Sequence, residues 1–300
     1  VGLAEEAQQA IENAILSQPE RSLGFLVYET RVEDVKISKD SIWAAGYLVP
    51  HDPVTGEILP TEPGVAITRQ TEQGWEVYFP GDDAFQDVLT LLPEEVLDPG
   101  ILEQLLFMDQ IQETTVPTGP LSGYRLPWEA GKTTYVSQTV AHDRYTPSGN
   151  AHYSFDFYVP QTMFNLYAAK AGTVWSYRDD VPNGDPTAGN YIVLEDTTTI
   201  PTTYQLYLHL AQDSIPPDLK VIGAPVQRGQ FVGIADDTGV STGHHLHFQV
   251  QTIPYYSAYW GVSVDIVFEE VTINGGRPRI TIDLPYCTWE GDVCDEFQNA

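Results

Sequence analysis

The spacing of hydrophobic residues changes near residue 113. In residues 1–112, an apolar stripe at helical spacing begins at Leu3, continues through Ile11 and Ile15, and ends at Pro19. Short apolar runs typical of strands follow at 24–28, 42–48, 65–69 and 75–79, and two more helical stretches follow at 84–92 and 100–108. This order predicts a small α+β domain over residues 1–112.

Residues 113–123 are polar and rich in Pro and Gly, which is typical of a linker. Beyond them the chain changes to short β-type runs at 134–140, 154–158, 173–176, 191–194, 204–208, 231–234, 245–251 and 262–268. We therefore expect a mainly β protein, with an antiparallel β-sandwich or roll over residues 124–275. Residues 276–300 form a C-terminal extension.

Charge and cysteine content narrow the function classes. The chain has 42 acidic and 14 basic residues and a formal charge of −28, a field that repels nucleic acid and anionic membranes. No apolar run approaches the roughly 18 residues of a membrane span, so we expect no transmembrane segment. The two cysteines, Cys287 and Cys294, lie close together and predict a short disulfide loop, which favours an extracellular or cell-envelope location.

Two histidine motifs in the second half have metal-ligand spacing. His152 and Asp156 form H-x-x-x-D, and His245 and His247 form H-x-H. If both motifs lie on strands, the members of each pair face the same side. Two imidazoles and one carboxylate, from His152, Asp156 and His247, make a suitable three-ligand site for one catalytic Zn²⁺, with the fourth position left to water.

The residues between these polar positions are apolar. Phe155 and Phe157 flank Asp156, while Leu246 and Phe248 flank His247. Strand alternation predicts that these four side chains enter a core on the opposite face.

The order of these motifs, together with His209 between them, resembles the M23 family of zinc endopeptidases, of the LytM and lysostaphin type. The resemblance covers residues 123–251 and includes the context at 126–128, 168–174, 226–233 and 237–243. It implies zinc ligands at His152, Asp156 and His247 and catalytic roles for His209 and His245. We expect His245 to act as the base and His209 to stabilise the oxyanion or share the proton transfer, although the two roles could be exchanged.

Four positions need separate comment. The family usually has Gly where this chain has Ser154, and often Pro where it has His244. His244 should point away from the metal, and His142 should be an exposed loop residue. His51 lies in a Pro/Gly-rich turn and is expected to have only a structural role.

The leading hypothesis is a secreted zinc endopeptidase that acts on peptide bonds in peptidoglycan or Gly-rich peptides. One alternative is a non-catalytic LytM-like protein that binds the cell wall or activates another enzyme. Another is a structural zinc site, although such sites usually close with four protein ligands. The N-terminal domain loosely resembles cystatin-like or NTF2-like folds and could position substrate, cover the cleft or act as a spacer.

Overall fold

The computed structural model describes residues 2–108, 117, 119–139, 142, 151–253 and 261–278. These residues divide into two compact units, the first containing 2–108 and 142 and the second containing the remainder. The cysteines predicted to form a disulfide, Cys287 and Cys294, lie outside the described residues, as does much of the predicted linker. Within the described ranges no helix has the length and apolar character needed to cross a membrane.

The first unit combines four helices with a four-stranded antiparallel sheet. The helices are α1 (Leu3–Ser17), α2 (Leu23–Val27), α3 (Phe85–Leu89) and α4 (Pro99–Met108), with a short 3-10 turn at Pro19–Arg21. The strands, in sheet order, are β1 (Glu29–Ile37), β2 (Trp43–His51), β3 (Gly64–Thr71) and β4 (Gly74–Tyr78). Helix α1 buries Ala7, Ile11 and Ile15, which confirms most of the predicted stripe, whereas Leu3 at its start is exposed.

Two expectations for the first unit are wrong. The run 24–28, predicted as a strand, lies largely in helix α2, because the Ser22 side chain accepts the Gly24 N–H and the Tyr28 N–H bonds the Gly24 carbonyl at 2.9 Å. A short apolar run does not distinguish a strand from a helical turn. Strand β1 was missed because Val32 is its one buried residue, so the sequence lacks an apolar alternation.

The second unit is built from short strands, which confirms the mainly β expectation. These are β5 (Leu121–Tyr124), β6 (Tyr135–Gln138), β7 (Phe155–Tyr158), β8 (Phe164–Tyr167), β9 (Gly172–Arg178), β10 (Tyr191–Asp196), β11 (Thr203–Leu208), β12 (Pro225–Val226), β13 (Phe231–Ala235), β14 (Leu246–Gln251) and β15 (Ile266–Phe268). Short 3-10 turns lie at Pro217–Leu219 and Asn274–Gly276. The main sheet has the order β12-β9-β10-β11-β14-β7-β6; β8 pairs with β13, and β5 pairs with β15 in parallel.

One face of strands β7 and β14 packs into an aromatic core. The Phe155 and Phe157 rings stack at 5.6 Å, and the Phe248 ring lies 5.0 Å from Tyr207 and 6.0 Å from Phe268. All five side chains are almost fully buried. This burial confirms the predicted apolar face, and alternation leaves the polar residues of both strands on the other side.

A buried ion pair ties the end of β10 to the segment before β9. Lys170 Nζ lies 2.8 Å from Asp196 Oδ2, and the Asp196 side chain is almost completely buried. Burial opposes ionisation of Asp196, but hydrogen bonds from Lys170 and Thr198 outweigh it and hold the Asp196 pKa below its ordinary value. The folded state is therefore stabilised by the ionised carboxylate.

We predict that Asp196→Asn lowers the free energy of unfolding by about 2–3 kcal/mol near neutral pH, because Lys170 loses its partner. A carboxyl group with a lowered folded-state pKa stabilises the fold above its unfolded pKa and loses that contribution as the pH falls. The difference between wild type and variant in thermal denaturation should therefore shrink at acidic pH. The exposed Asp180→Asn is the control; an equal loss in both variants would contradict the role of the pair.

Candidate metal and catalytic site

Asp156 and His247 face each other across two neighbouring strands. The antiparallel register of β7 and β14 places them directly opposite, and His247 Nδ1 lies 3.1 Å from Asp156 Oδ1. Both residues are fully buried. Two ligands of one tetrahedral zinc lie about 3.3 Å apart when each bond is close to 2 Å, so the donor types and their spacing fit a shared zinc ion.

His152 lies in a turn ahead of β7, not in the strand. The Ser154 N–H bonds the Ala151 carbonyl at 2.9 Å, and the Ser154 hydroxyl donates to the same carbonyl. Strand alternation therefore does not orient His152, and that part of the sequence argument is wrong. His152 is not among the described residues whose possible ligand atoms are grouped with those of Asp156 and His247. Its role as the third ligand stays a prediction.

His209 follows β11 directly and has a left-handed backbone, with φ of 62°. Its Nδ1 lies 2.7 Å from the carbonyl oxygen of Thr238. A carbonyl oxygen can only accept, so Nδ1 carries a proton, and Nε2 holds the lone pair when the ring is neutral. Thr238 is held in turn, because its hydroxyl donates to the Leu210 carbonyl at 2.8 Å and accepts the Asn190 N–H at 3.0 Å.

His245 immediately precedes β14 and is held in a similar way. Its Nδ1 lies 2.8 Å from the Gly243 carbonyl and 3.2 Å from the Ser241 hydroxyl. Its Nε2 lies 3.9 Å from Asp156 Oδ1, and its ring centroid lies 4.4 Å from that of His209. The structure thus brings Asp156, His247, His245 and His209 together, whereas His152 remains in the neighbouring turn.

The sequence reasoning assigned no role to Thr238 or Ser241. Both lie in the turn 237–243. The sequence of this turn resembles the M23 pattern but does not by itself reveal these hydrogen bonds. A Thr and a Ser in a Gly-containing turn could have indicated these contacts, because such side chains commonly form hydrogen bonds with nearby backbone groups.

The sequence patterns give no metal or catalytic role to the remaining three histidines, His244, His142 and His51. His244 Nδ1 contacts Asp236 Oδ1 at 2.8 Å and is one-third exposed. His142 is buried in the first unit, with Nε2 3.5 Å from Glu62 Oε2, so its predicted exposure is wrong. His51 bonds the Gly56 carbonyl through Nδ1 at 3.0 Å, in agreement with its predicted structural role.

A buried imidazole–carboxylate pair beside two further imidazoles is an arrangement expected of a metal-dependent hydrolase. Residues 150–259 match the sequence profile described as Peptidase family M23. This part of the chain is therefore an M23 peptidase domain, which confirms the resemblance over these residues.

Two curated relatives are peptidoglycan DD-endopeptidases of Vibrio cholerae serotype O1. ShyA is 38% identical and ShyB 46% identical over 65 residues, which amount to 22% of this chain and 13% of each relative. Among solved structures, a zinc containing peptidase from Vibrio cholerae aligns with 21% identity and a TM-score of 0.28, covering 73% of this chain and 56% of that one.

We predict that Gly239→Ala destabilises the turn that holds His209 and His245. Gly239 has φ of +86°, and an added Cβ would lie 2.9 Å from the Gly189 backbone. Gly229→Ala is the matched control, because Gly229 has φ of +81° and open space around it. Left-handed strain alone costs about 1–2 kcal/mol, so thermal denaturation should show a larger loss for Gly239→Ala, with reduced peptidase activity. Equal effects would contradict the steric argument.

Proposed function

We propose that this chain is a zinc-dependent endopeptidase that hydrolyses peptide bonds of bacterial peptidoglycan, in the cell envelope or outside the cell. The observation that carries the proposal is the buried Asp156–His247 pair beside His209 and His245. The M23 domain supports the bond class. The names of ShyA and ShyB support the substrate, although the aligned segment spans 13% of each.

His152, Asp156 and His247 would hold the zinc ion. A zinc ion in such a site lowers the pKa of water and polarises the scissile carbonyl group. The register of β7 and β14 places Asp156 directly opposite His247. Both side chains can therefore reach one metal ion.

His245 would act as the general base. Its Nδ1–H donates to the Gly243 carbonyl, so its Nε2 can accept the proton of the attacking water. The same hydrogen bond stabilises the imidazolium that forms. Proton transfer from Nε2 to the departing amine would then regenerate the neutral ring. Among the two catalytic candidates, His245 is assigned this role because its Nε2 lies 3.9 Å from Asp156.

His209 would stabilise the developing oxyanion. Its Nδ1–H bond to Thr238 fixes the ring orientation, and protonation at Nε2 supplies a charged donor on the opposite side of the ring.

Measurements of zinc content and of hydrolysis should distinguish the metal ligands from the general base. We expect His247→Ala and Asp156→Ala to lose both zinc and hydrolysis, because each removes a ligand. His245→Ala should retain zinc and lose about 10²–10⁴-fold in kcat, the usual contribution of general acid–base catalysis. Elemental analysis and digestion of purified peptidoglycan, with products identified by mass spectrometry, provide the two measurements.

Asp218→Ala is the control for these substitutions, since Asp218 is exposed on the Pro217–Leu219 turn. It should retain wild-type zinc content and activity. Full hydrolysis by His247→Ala would overturn the metal assignment. Cleavage of Gly-rich peptides without release of peptidoglycan fragments would contradict peptidoglycan as the substrate. It would still agree with hydrolysis of peptide bonds.

A further inference from the structure

A second group of potential metal ligands lies at the base of the turn between β13 and β14. This hairpin cluster consists of Asp236, Asp237 and His244, whose ligand atoms all lie within 4.8 Å of one another. His244 Nδ1 is 2.8 Å from Asp236 Oδ1 and 3.8 Å from Asp237 Oδ1. These distances bracket the separation of about 3.3 Å expected for two ligands of one tetrahedral zinc.

Asp236 is the reason to infer a ligand here. Its side chain is 1% exposed, and among the described residues its Oδ2 has no hydrogen-bond partner. Its Oδ1 lies 2.8 Å from His244 Nδ1 as an ion pair, which leaves Oδ2 unsatisfied. Buried polar atoms without such partners are costly. A cation bound between Asp236 and His244 would supply the partner that Asp236 Oδ2 lacks.

A simple His–Asp ion pair explains less of this geometry. The pair would satisfy one oxygen of Asp236. It would leave the negative charge of the neighbouring Asp237 carboxylate next to Asp236. Burial and then the Asp237 charge raise the pKa of Asp236, while His244 opposes that rise. Asp236 thus lies in surroundings that disfavour an uncompensated negative charge.

We propose that the hairpin cluster is a second divalent-cation site, distinct from the Asp156–His247 pair. An imidazole with two carboxylates suits first-row ions such as Zn²⁺ or Mn²⁺ better than Mg²⁺ or Ca²⁺, which prefer all-oxygen sites. Asp237 and His244 are each about one-third exposed, which leaves the cation a path from solvent and room for water ligands.

The hairpin cluster is joined to the catalytic histidines through the backbone. The Asp236 N–H donates to the His209 carbonyl at 2.7 Å, and the His245 N–H donates to the Asp236 carbonyl at 3.1 Å. A cation bound to Asp236 and His244 would therefore clamp the two sides of the turn next to both rings. Its expected role is to hold the turn in place, with zinc in the cluster raising the thermal stability of the protein.

Zinc titration of the metal-free full-length chain tests this proposal. We expect wild type to bind two zinc ions, and His244→Ala and Asp237→Asn each to weaken one of them at least about tenfold, the lower end of the loss seen for supporting contacts alone. Because both residues are partly exposed, these variants should fold, whereas replacing the buried Asp236 risks the fold. Asp218→Asn controls for nonspecific binding by exposed acidic groups and should bind two.

Each outcome supports or overturns the site. A single zinc in wild type, or two equally tight zinc ions in both His244→Ala and Asp237→Asn, would overturn it. His247→Ala separates this result from the proposed catalytic metal: it should lose the other zinc ion and retain the one in the hairpin cluster. If His247→Ala bound as many ions as wild type, the result would contradict the proposed catalytic metal site. It would leave the second site at the hairpin cluster supported.

Discussion

The buried contact between Asp156 and His247 is the constraint on which the second unit depends. A carboxylate and an imidazole placed in a sheet interior are destabilising unless each satisfies the other or a shared cation. The direct pairing of β7 and β14 meets this condition at 3.1 Å. A slip of one residue by either strand would turn that strand's polar side chain towards the aromatic core and bring a neighbouring apolar side chain to the site.

The two histidines proposed to be catalytic are held by hydrogen bonds to backbone carbonyl groups. His209 and His245 each bond a carbonyl oxygen through Nδ1, supplied by Thr238 and Gly243 respectively. Both carbonyls belong to the turn between β13 and β14, so one turn orients both rings and sets which nitrogen each presents. The turn passes so close to the Gly189 backbone that a Cβ added at Gly239 would lie 2.9 Å from it. The hairpin cluster lies at the base of the same turn, which links its proposed cation to the geometry of the histidines.

Much of the second unit could be predicted because apolar and polar residues alternate clearly along its strands. The positions of Phe155, Phe157 and Phe248 predict the apolar faces of β7 and β14, and all three side chains are buried in the structure. Weak patterns misled the prediction elsewhere: strand β1 has one buried residue, and a five-residue apolar run became helix α2. The exposure of His142 was also mispredicted, because local composition does not report which segments pack together.

The sequence by itself determined the residue types of the site, their order, and the M23 resemblance over residues that the family profile also matches. It also determined which residues alternate, because that period is a local property of an extended chain. The tertiary structure decided that Asp156 meets His247, that His152 lies in a turn, and that a buried carboxylate at Asp236 faces His244. These relations depend on strand register and turn closure, which arise from contacts between segments distant in sequence.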